Sequence, residues 1–255
     1  MSNIMHIHNL LKANPDMEPE DILFLLDSYY SCPKDEKGKR LGPLVGYAGK
    51  YAEGKQFVGD IYLNFAPVEE YWFILDYLAK RLYNALCKRW ELGVGVYCGA
   101  PEGGKALALA LSSYSLGSRY VYPDIKVTAP ATSQGREKRE LVWGRHQVNH
   151  GERVAIVEDL NNNFSTTDEL INLILNANAQ VVAIISYYNR SLDCQGKLYK
   201  YRELGIPIIT LKSNPISQYY QEDPFVAEDV AKGNVVWKPK LDWAKLKTAM
   251  EAVRK

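Results

Sequence analysis

RVAIVEDLNNNFSTTDELINLIL, residues 153–175, holds an apolar run, a polar loop and an amphipathic segment in immediate succession. The β-branched run before Glu158 predicts a buried strand, and the apolar spacing after Ser165 predicts a helix. Two acids, Glu158 and Asp159, stand at the carboxyl end of that strand. A strand joined to a helix by a short loop is the repeating unit of an α/β fold.

The same succession occurs on both sides of this segment. VGVYCG (94–99) leads through a glycine loop into GGKALALALSSYSLG (103–117), and two further apolar runs follow at VVAIISYYNR (181–190) and IPIITL (206–211). Short β-branched runs separated by helices favour a mostly parallel sheet with helices on its faces. Ligands of such folds bind at the carboxyl ends of the strands.

The remaining segments predict two further helices and an irregular region. Glu18–Tyr30 and Glu69–Leu92 have helical apolar spacing, with Gly93 as the terminator of the second helix. Residues 31–60 are rich in glycine, which indicates irregular chain or short antiparallel strands. With no linker composition anywhere, we expect a single α/β domain.

Composition limits the classes of partner. The chain has 31 Lys and Arg against 30 Asp and Glu, so its net charge of +1 provides no general attraction to nucleic acid or to an anionic membrane. Four cysteines without CxxC spacing indicate a reducing cytoplasm, and neither an export signal nor an 18-residue apolar run is visible. His6 and His8 lack accompanying ligands, so a flexible or capping start is favoured over a metal site.

The loop after Asp159 suits a phosphorylated sugar. Free amides and the positive end of the following helix attract phosphate, and hydroxyls from Ser165 to Thr167 add donors. The acids are placed to face ribose hydroxyls. Ser165 and Asp168 also have capping-box spacing, which is a structural role compatible with phosphate binding.

This segment resembles the motif of type I phosphoribosyltransferases that binds 5-phosphoribosyl 1-pyrophosphate (PRPP). The resemblance implies that Glu158 and Asp159 contact the ribose, directly or through water on a Mg²⁺ ion held mainly by PRPP. It implies a 5′-phosphate loop made of Asn161, Asn162, Asn163, Phe164, Ser165, Thr166 and Thr167. Two positions depart from the motif: Glu158 replaces an Asp, and Phe164 replaces a Gly that permits unusual dihedrals. The asparagines are expected to compensate, because Asn tolerates left-handed turns.

The glycine loop upstream is similar to the family's pyrophosphate loop, although a strand, a glycine loop and a helix are often only structural. The resemblance implies pyrophosphate contacts from Gly99, Ala100, Pro101, Glu102, Gly103, Gly104 and Lys105. Orotate enzymes place a lysine inside this loop, where this chain has Gly103, with Lys105 two positions later.

A basic cluster lies between the two loops: Arg136, Lys138, Arg139, Arg145 and His146. A solvated strand face is the ordinary explanation of such a charge run. The resemblance instead implies a mobile basic loop that closes over pyrophosphate, often that of a neighbouring subunit. Arg136, Lys138 and Arg139 would bind pyrophosphate, Arg145 and His146 would act in catalysis, and the protein would be a homodimer.

Residues 54–71 resemble the orotate-family segment that lines the base, with Lys55, Tyr62 and Asn64 as base-binding candidates. A half-buried strand explains the same alternation. We therefore expect an N-terminal hood at about 1–68, a PRPP-binding core at about 69–215 and a C-terminal extension at 216–255. The implied reaction is Mg²⁺-dependent transfer of phosphoribose from PRPP to orotate, in pyrimidine biosynthesis. The alternatives are transfer to another nucleobase, a PRPP-sensing regulator and an unrelated nucleotide-binding α/β protein. The last has no support from a motif, because the sequence contains neither GxGxxG nor GxxxxGK(S/T).

Overall fold

A computed structural model of the chain describes residues 2–51, 54–129, 138–192, 194, 198–201 and 204–252. The chain forms two compact units. The first unit consists of Met1–Pro19 and Val68–Pro215, and the second unit of Glu20–Pro67 and Ile216–Lys255. The second unit thus combines most of the expected hood with the expected C-terminal extension, while the single domain stays a prediction.

The helices, numbered along the chain, are α1 Ser2–Ala13, α2 Pro19–Leu25, α3 Ala66–Glu69, α4 Trp72–Cys87, α5 Gly104–Tyr114, α6 Ser165–Asn176, α7 Ala227–Ala231 and α8 Trp243–Ala252. The strands are β1 Tyr29–Ser31, β2 Leu44–Lys50, β3 Gln56–Gly59, β4 Ile61–Leu63, β5 Val96–Gly99, β6 Arg119–Val121, β7 Asp124–Ala129, β8 Lys138–Val142, β9 Arg153–Asn161, β10 Gln180–Asn189, β11 Leu198–Tyr201, β12 Leu204–Ser213 and β13 Val235–Val236. Within the described residues, no helix is long and apolar enough to span a bilayer.

The first unit is built on a six-stranded sheet in the order β11-β12-β10-β9-β5-β6. Its neighbouring strands are parallel, except that β11 runs antiparallel to β12. This confirms the predicted α/β class with a mostly parallel sheet flanked by helices. Parallel strands that are covered on both faces are apolar along their length, and Val154–Val157 of β9 are accordingly buried.

Helix α6 packs on this sheet through one face. Its buried residues, Thr167, Leu170, Ile171 and Ile174, follow the helical spacing of three and four positions. Full burial of each such aliphatic side chain contributes about 1.5–3 kcal/mol to stability. The packing holds the first turn of α6 beside the carboxyl end of β9.

Three predicted helical features differ in the structure. The helix expected to reach Tyr30 ends at Leu25, and Asp27 then adopts a left-handed backbone with φ 54° that turns the chain into β1. The helix expected over Glu69–Leu92 is divided into α3, α4 and a short 3-10 turn. Gly93 ends that turn in the left-handed conformation, as predicted. The N-terminus, for which a flexible or capping start was expected, forms helix α1, and His8 packs edge-on against Phe73.

The second unit contains the short antiparallel strands that were predicted for residues 31–60. A three-stranded sheet has the order β13-β2-β3, and β1 pairs with β4. The two-residue strand β13 lies parallel to β2, with Val235 beside Leu44. The C-terminal extension therefore contributes an edge strand, β13, to the sheet formed by β2 and β3, although the paired strands lie about 190 positions apart in the sequence.

Candidate functional site

A cavity of about 280 Å³ opens in the first unit where β9 ends and α6 begins. Its lining residues are Pro101, Glu102, Gly103, Glu158, Asp159, Leu160, Asn161, Asn162, Asn163, Phe164, Ser165, Thr166 and Thr167. Both loops singled out in the sequence contribute to this lining, because β5 and β9 are parallel neighbours and end on the same side.

Glycine allows the loop after β5 to lie directly against β9. A Cβ on Gly104 would stand 1.9 Å from the carbonyl oxygen of Val157, and a Cβ on Gly103 would stand 2.5 Å from Cγ of Asp159. The amide of Ala100 donates a 2.8 Å hydrogen bond to the same Val157 oxygen. The peptide bond between Pro101 and Glu102 is cis. Because Gly103 and Gly104 lack side chains, the loop backbone reaches the Asp159 carboxylate.

Glu158 and Asp159 lie within β9, which continues to Asn161. The hydroxyl of Thr167 donates a 3.4 Å hydrogen bond to Oε1 of Glu158, and the amide of Leu160 donates a 2.8 Å bond to Oδ1 of Asp159. Burial, together with the negative charge of Asp159, raises the pKa of Glu158 to about 8. Glu158 is therefore largely protonated at neutral pH.

A further carboxylate, Glu69 at the end of α3, belongs to the same group of charges. Partial removal from water, followed by the charges of Asp159 and Glu102, raises its pKa to about 7. The sequence contains no signal for this residue, which stands about ninety positions before β9 and reaches the acids only through the fold. Carboxylates concentrated in this way match the oxygen ligands that Mg²⁺ prefers.

The carboxylates do not form a metal site alone. In the part of the chain that the structure describes, no group of three or more His, Cys, Asp or Glu side chains is arranged to hold an ion. A Mg²⁺ ion here needs oxygen ligands from a bound molecule or water, as Mg²⁺ commonly has. The donor set thus fits a cation that arrives with a phosphorylated ligand.

Phe164 adopts the left-handed backbone conformation, with φ 57° and ψ 13°, at the residue just before α6. That conformation costs a non-glycine residue about 1–2 kcal/mol. Phe164 is only 5% exposed, and its ring stacks on Tyr199 with centroids 4.2 Å apart and planes inclined by 15°. A stacked aromatic pair contributes about 0.5–1.5 kcal/mol to stability beyond the burial of its rings. The stacking of Phe164 on Tyr199 therefore stabilises the fold by about as much as the left-handed backbone of Phe164 destabilises it.

The asparagines take other roles than the expected left-handed turn. Oδ1 of Asn163 accepts hydrogen bonds from the amide of Ser165 at 3.2 Å and from its hydroxyl at 3.0 Å. Asn161 is buried and donates to the Ser186 hydroxyl at 2.9 Å. The predicted capping box of Ser165 and Asp168 is wrong, because the helix starts at Ser165 itself and the N-cap position is Phe164, whose side chain makes no capping hydrogen bond.

Lys105 lies at the first turn of α5, beside the glycine loop. Its Nζ is 3.0 Å from Oε2 of Glu102 and 4.8 Å from the ring centroid of Tyr122. His146 meets Tyr122 edge-on at 4.5 Å. Among the residues that the structure describes, Nδ1 of His146 is buried without a hydrogen-bond partner. Lys105 therefore stands between the Glu102 carboxylate and an aromatic group.

The basic cluster is divided between a hairpin and the chain that follows it. Strands β7 and β8 pair antiparallel, with Arg139 opposite Val127, and β8 packs beside α6. Arg139 and Arg145 are exposed, and neither lines the cavity. Lys138 begins β8, whereas Arg136 lies outside the described residues. Pyrophosphate contacts from this cluster stay a prediction.

The three base-binding candidates belong to the second unit, where each has a contact. Nζ of Lys55 lies 2.5 Å from Oε1 of Glu222. Tyr62 pairs with Tyr30 in the β4–β1 ladder, and burial raises its pKa to about 12. Oδ1 of Asn64 accepts a 3.3 Å hydrogen bond from the amide of Ala66. Their role toward a base stays a prediction.

Comparison with known proteins gives matches to solved structures, whereas neither a family model nor a curated protein matches the chain. UMP synthase from Leishmania donovani is 18% identical with a TM-score of 0.44, over 80% of this chain and 38% of that one. Orotate phosphoribosyltransferase from Aeropyrum pernix is 11% identical with a TM-score of 0.46, over 68% and 89%. Adenine phosphoribosyltransferase from Rhodothermus marinus is 17% identical with a TM-score of 0.46, over 67% and 92%.

This chain spans 38% of the length of that UMP synthase. At such low identities and TM-scores, these likenesses carry no argument about activity or substrate.

Proposed function

We propose that the chain is a phosphoribosyltransferase that binds PRPP with Mg²⁺ and transfers its phosphoribosyl group to a nucleobase, with orotate as the favoured base. The observation that carries this proposal is a single cavity of about 280 Å³ with two carboxylates on a strand end, a helix N-terminus on one side and a glycine loop on the other. These three features match the ribose, the 5′-phosphate and the pyrophosphate of one ligand.

The first turn of α6 suits the 5′-phosphate. A helix N-terminus presents amides without intrahelical partners and carries partial positive charge. Ser165 and Thr166 line the cavity at this turn and add hydroxyl donors. Phosphate groups bind readily at such termini. With the phosphate placed there, the ribose hydroxyls extend toward Glu158 and Asp159.

The glycine loop suits the pyrophosphate and its cation. Pro101, Glu102 and Gly103 line the cavity opposite α6, and Lys105 supplies a positive charge beside them. When bound, Mg²⁺ would neutralise pyrophosphate oxygens and so stabilise the leaving group. Glu158 and Asp159 would hold the ribose and reach Mg²⁺ through water.

The chemistry assigned to the chain is positioning and electrostatic stabilisation. The C1′–oxygen bond to pyrophosphate breaks with its electron pair left on pyrophosphate, a base nitrogen bonds to C1′, and the proton of that nitrogen passes to water or to the released pyrophosphate. The Asp159 carboxylate favours the positive charge that develops on the ribosyl ring, and the protonated Glu158 is a hydrogen-bonding partner for the ribose hydroxyls. Lys105, and the basic residues Arg136, Lys138, Arg139, Arg145 and His146, would offset the charge of the leaving group.

Orotate is favoured because residues 54–71, which include Lys55, Tyr62 and Asn64, resemble the segment that lines the base in orotate phosphoribosyltransferases. A lysine suits the carboxylate of orotate, and an aromatic ring suits its pyrimidine. Phosphoribosyl transfer to another base is the nearest alternative. A PRPP-sensing regulator is a second alternative, motivated by Phe164 in the phosphate loop and by the lack of a lysine between Gly99 and Gly104. A cytoplasmic homodimer is proposed with the enzyme.

The decisive experiment is a Mg²⁺-dependent assay with PRPP and orotate, followed by orotate absorbance and by mass identification of orotidine 5′-monophosphate. Asp159→Asn is expected to lower turnover about 100-fold or more, as removal of one group that stabilises developing charge does. Asp16→Asn makes the same chemical change at an exposed position of the first unit and is expected to leave turnover unchanged.

The other outcomes separate the alternatives. Turnover with adenine or another base in place of orotate would contradict the orotate assignment and keep the transferase. PRPP binding by calorimetry without transfer to any base in a panel of purines and pyrimidines would support the regulator. The absence of both binding and turnover would contradict the proposed function.

A further inference from the structure

Strand β11 contacts the phosphate loop from outside the cavity. Its residue Tyr199 pairs with Ile206 of β12 at the edge of the sheet. From there the Tyr199 ring stacks on Phe164, and its hydroxyl donates a 2.7 Å hydrogen bond to Oδ1 of Asp168. One side chain therefore contacts both the residue before α6 and the first turn of the helix.

The two contacts of Tyr199 hold residues whose backbones are bonded to each other. The Phe164 carbonyl accepts a 2.8 Å hydrogen bond from the amide of Asp168, so Phe164 and Asp168 together close the first turn. Phe164 holds a left-handed φ of 57°, which glycine adopts freely and a residue with a Cβ resists. The stacked ring of Tyr199 opposes a return of Phe164 to an ordinary φ, because that rotation would carry the Phe164 ring away from its partner.

We infer that Tyr199 is a positioning residue that keeps Phe164 in the left-handed conformation and so preserves the shape of the 5′-phosphate loop, residues 161–167. The inference rests on the proposed function, since that loop is assigned there to the 5′-phosphate. Tyr199 does not line the cavity. It acts through Phe164, and it substitutes for the conformational freedom that a glycine would provide at position 164.

A second tyrosine on the same strand supplies a matched control. The hydroxyl of Tyr201 donates a 2.7 Å hydrogen bond to Oδ1 of Asn172, one turn further along α6. Tyr201 thus ties β11 to the same helix, whereas the ring that stacks on Phe164 is that of Tyr199. Tyr201→Ala is expected to remove a tether of β11 while leaving the loop conformation in place.

The test measures the dissociation constants of ribose 5-phosphate and of PRPP with Mg²⁺ by calorimetry, and KM and kcat for PRPP where turnover is present. Tyr199→Ala is expected to weaken both ligands about tenfold, the middle of the range for coupled neighbours, and to raise KM with kcat nearly constant. Tyr199→Phe keeps the stack and is expected to stay within about twofold of wild type, as is Tyr201→Ala.

The second arm repeats Tyr199→Ala in a Phe164→Gly background. Glycine adopts the left-handed φ without a packing partner. In the Phe164→Gly background, Tyr199→Ala is therefore expected to change the affinity for ribose 5-phosphate and PRPP by less than about twofold. Circular dichroism and thermal unfolding identify any variant that fails to fold. Tyr199→Phe separates the two contacts of Tyr199: a loss of affinity as large as that of Tyr199→Ala would assign the effect to the hydroxyl bond with Asp168 and contradict the role given to the stack.

The failures are distinguishable. If the wild-type chain binds neither ribose 5-phosphate nor PRPP, the proposed function fails and the inference fails with it. If wild type binds and Tyr199→Ala binds equally well, the inference alone is wrong. Equal losses from Tyr199→Ala with Phe or Gly at position 164 would also contradict it, since the effect would then not pass through Phe164.

Discussion

The two loops that line the cavity have the same local plan and obtain their shapes in different ways. Each joins a parallel strand to a helix, at the ends of neighbouring strands β5 and β9. The loop before α5 is shaped by missing side chains, because a Cβ at Gly103 or Gly104 would collide with β9. The loop before α6 has Phe164 where glycine would be easiest, and a side chain from β11 packs against it. A constrained loop backbone can therefore be stabilised by glycine within the loop itself, or by a side chain from a strand that is distant in sequence and packs against the loop.

The largest expected effect concerns the glycine loop. In Gly104→Ala the new Cβ would meet the Val157 carbonyl at 1.9 Å, and backbone that is held in a central strand cannot move aside cheaply. We expect a loss of about 3 kcal/mol or more in the free energy of unfolding, the upper range for overpacking. Chemical denaturation measures it.

Gly95→Ala is the matched control for that substitution. Its Cβ would stand 3.8 Å from the nearest atom, the Arg153 carbonyl oxygen, and we expect a change within about 0.5 kcal/mol. Similar losses for the two variants would show that close packing does not shape the glycine loop.

The second expected effect is a pH dependence of stability caused by Glu158, which lies beside Asp159 where the two loops are in contact. Glu158 has a pKa of about 8 in the folded chain, well above that of an ordinary unfolded glutamate. Below about pH 4 both states are protonated, and between about pH 4 and 8 only the unfolded state loses its proton. The free energy of unfolding should therefore fall as pH rises through that window, by up to about 1.4 kcal/mol per pH unit from this group.

Unfolding titrations at pH 5, 6, 7 and 8 measure this slope. Glu158→Gln removes the group and is expected to flatten the dependence, leaving a smaller slope from Glu69, whose pKa is about 7. An unchanged slope in Glu158→Gln would show that the Glu158 carboxyl is hydrated and that burial does not govern its ionisation.

The smallest effect compares glycine with alanine at position 164. Both substitutions remove the buried ring, but alanine keeps the cost of a left-handed backbone whereas glycine does not. We expect Phe164→Gly to be more stable than Phe164→Ala by about 1 kcal/mol, which is the reverse of the order of these residues in a helix interior. Denaturant unfolding of the pair measures the difference. Alanine at least as stable as glycine would mean that φ relaxes once the ring is lost.

Local pattern predicted much of the fold and part of the candidate site. The buried strand before Glu158, the helix opening at Ser165 and the glycine loop ahead of α5 are all present, because periodicity and glycine placement act over a few residues. The predicted helix ends were less accurate. The left-handed turn at Asp27 ended a helix whose apolar pattern continues to Tyr30.

Other features came from contacts between residues far apart in the sequence. Glu69 joins the acids of β9, Lys55 pairs with Glu222, and β13 completes a sheet with β2. The sequence by itself determined the α/β class and the two loops at the ends of parallel strands, because hydrophobic periodicity and turn residues specify local elements. Only the tertiary structure decided that Tyr199 lies on Phe164 and that four carboxylates share one group of charges, because side chains from distant segments meet only after those elements pack.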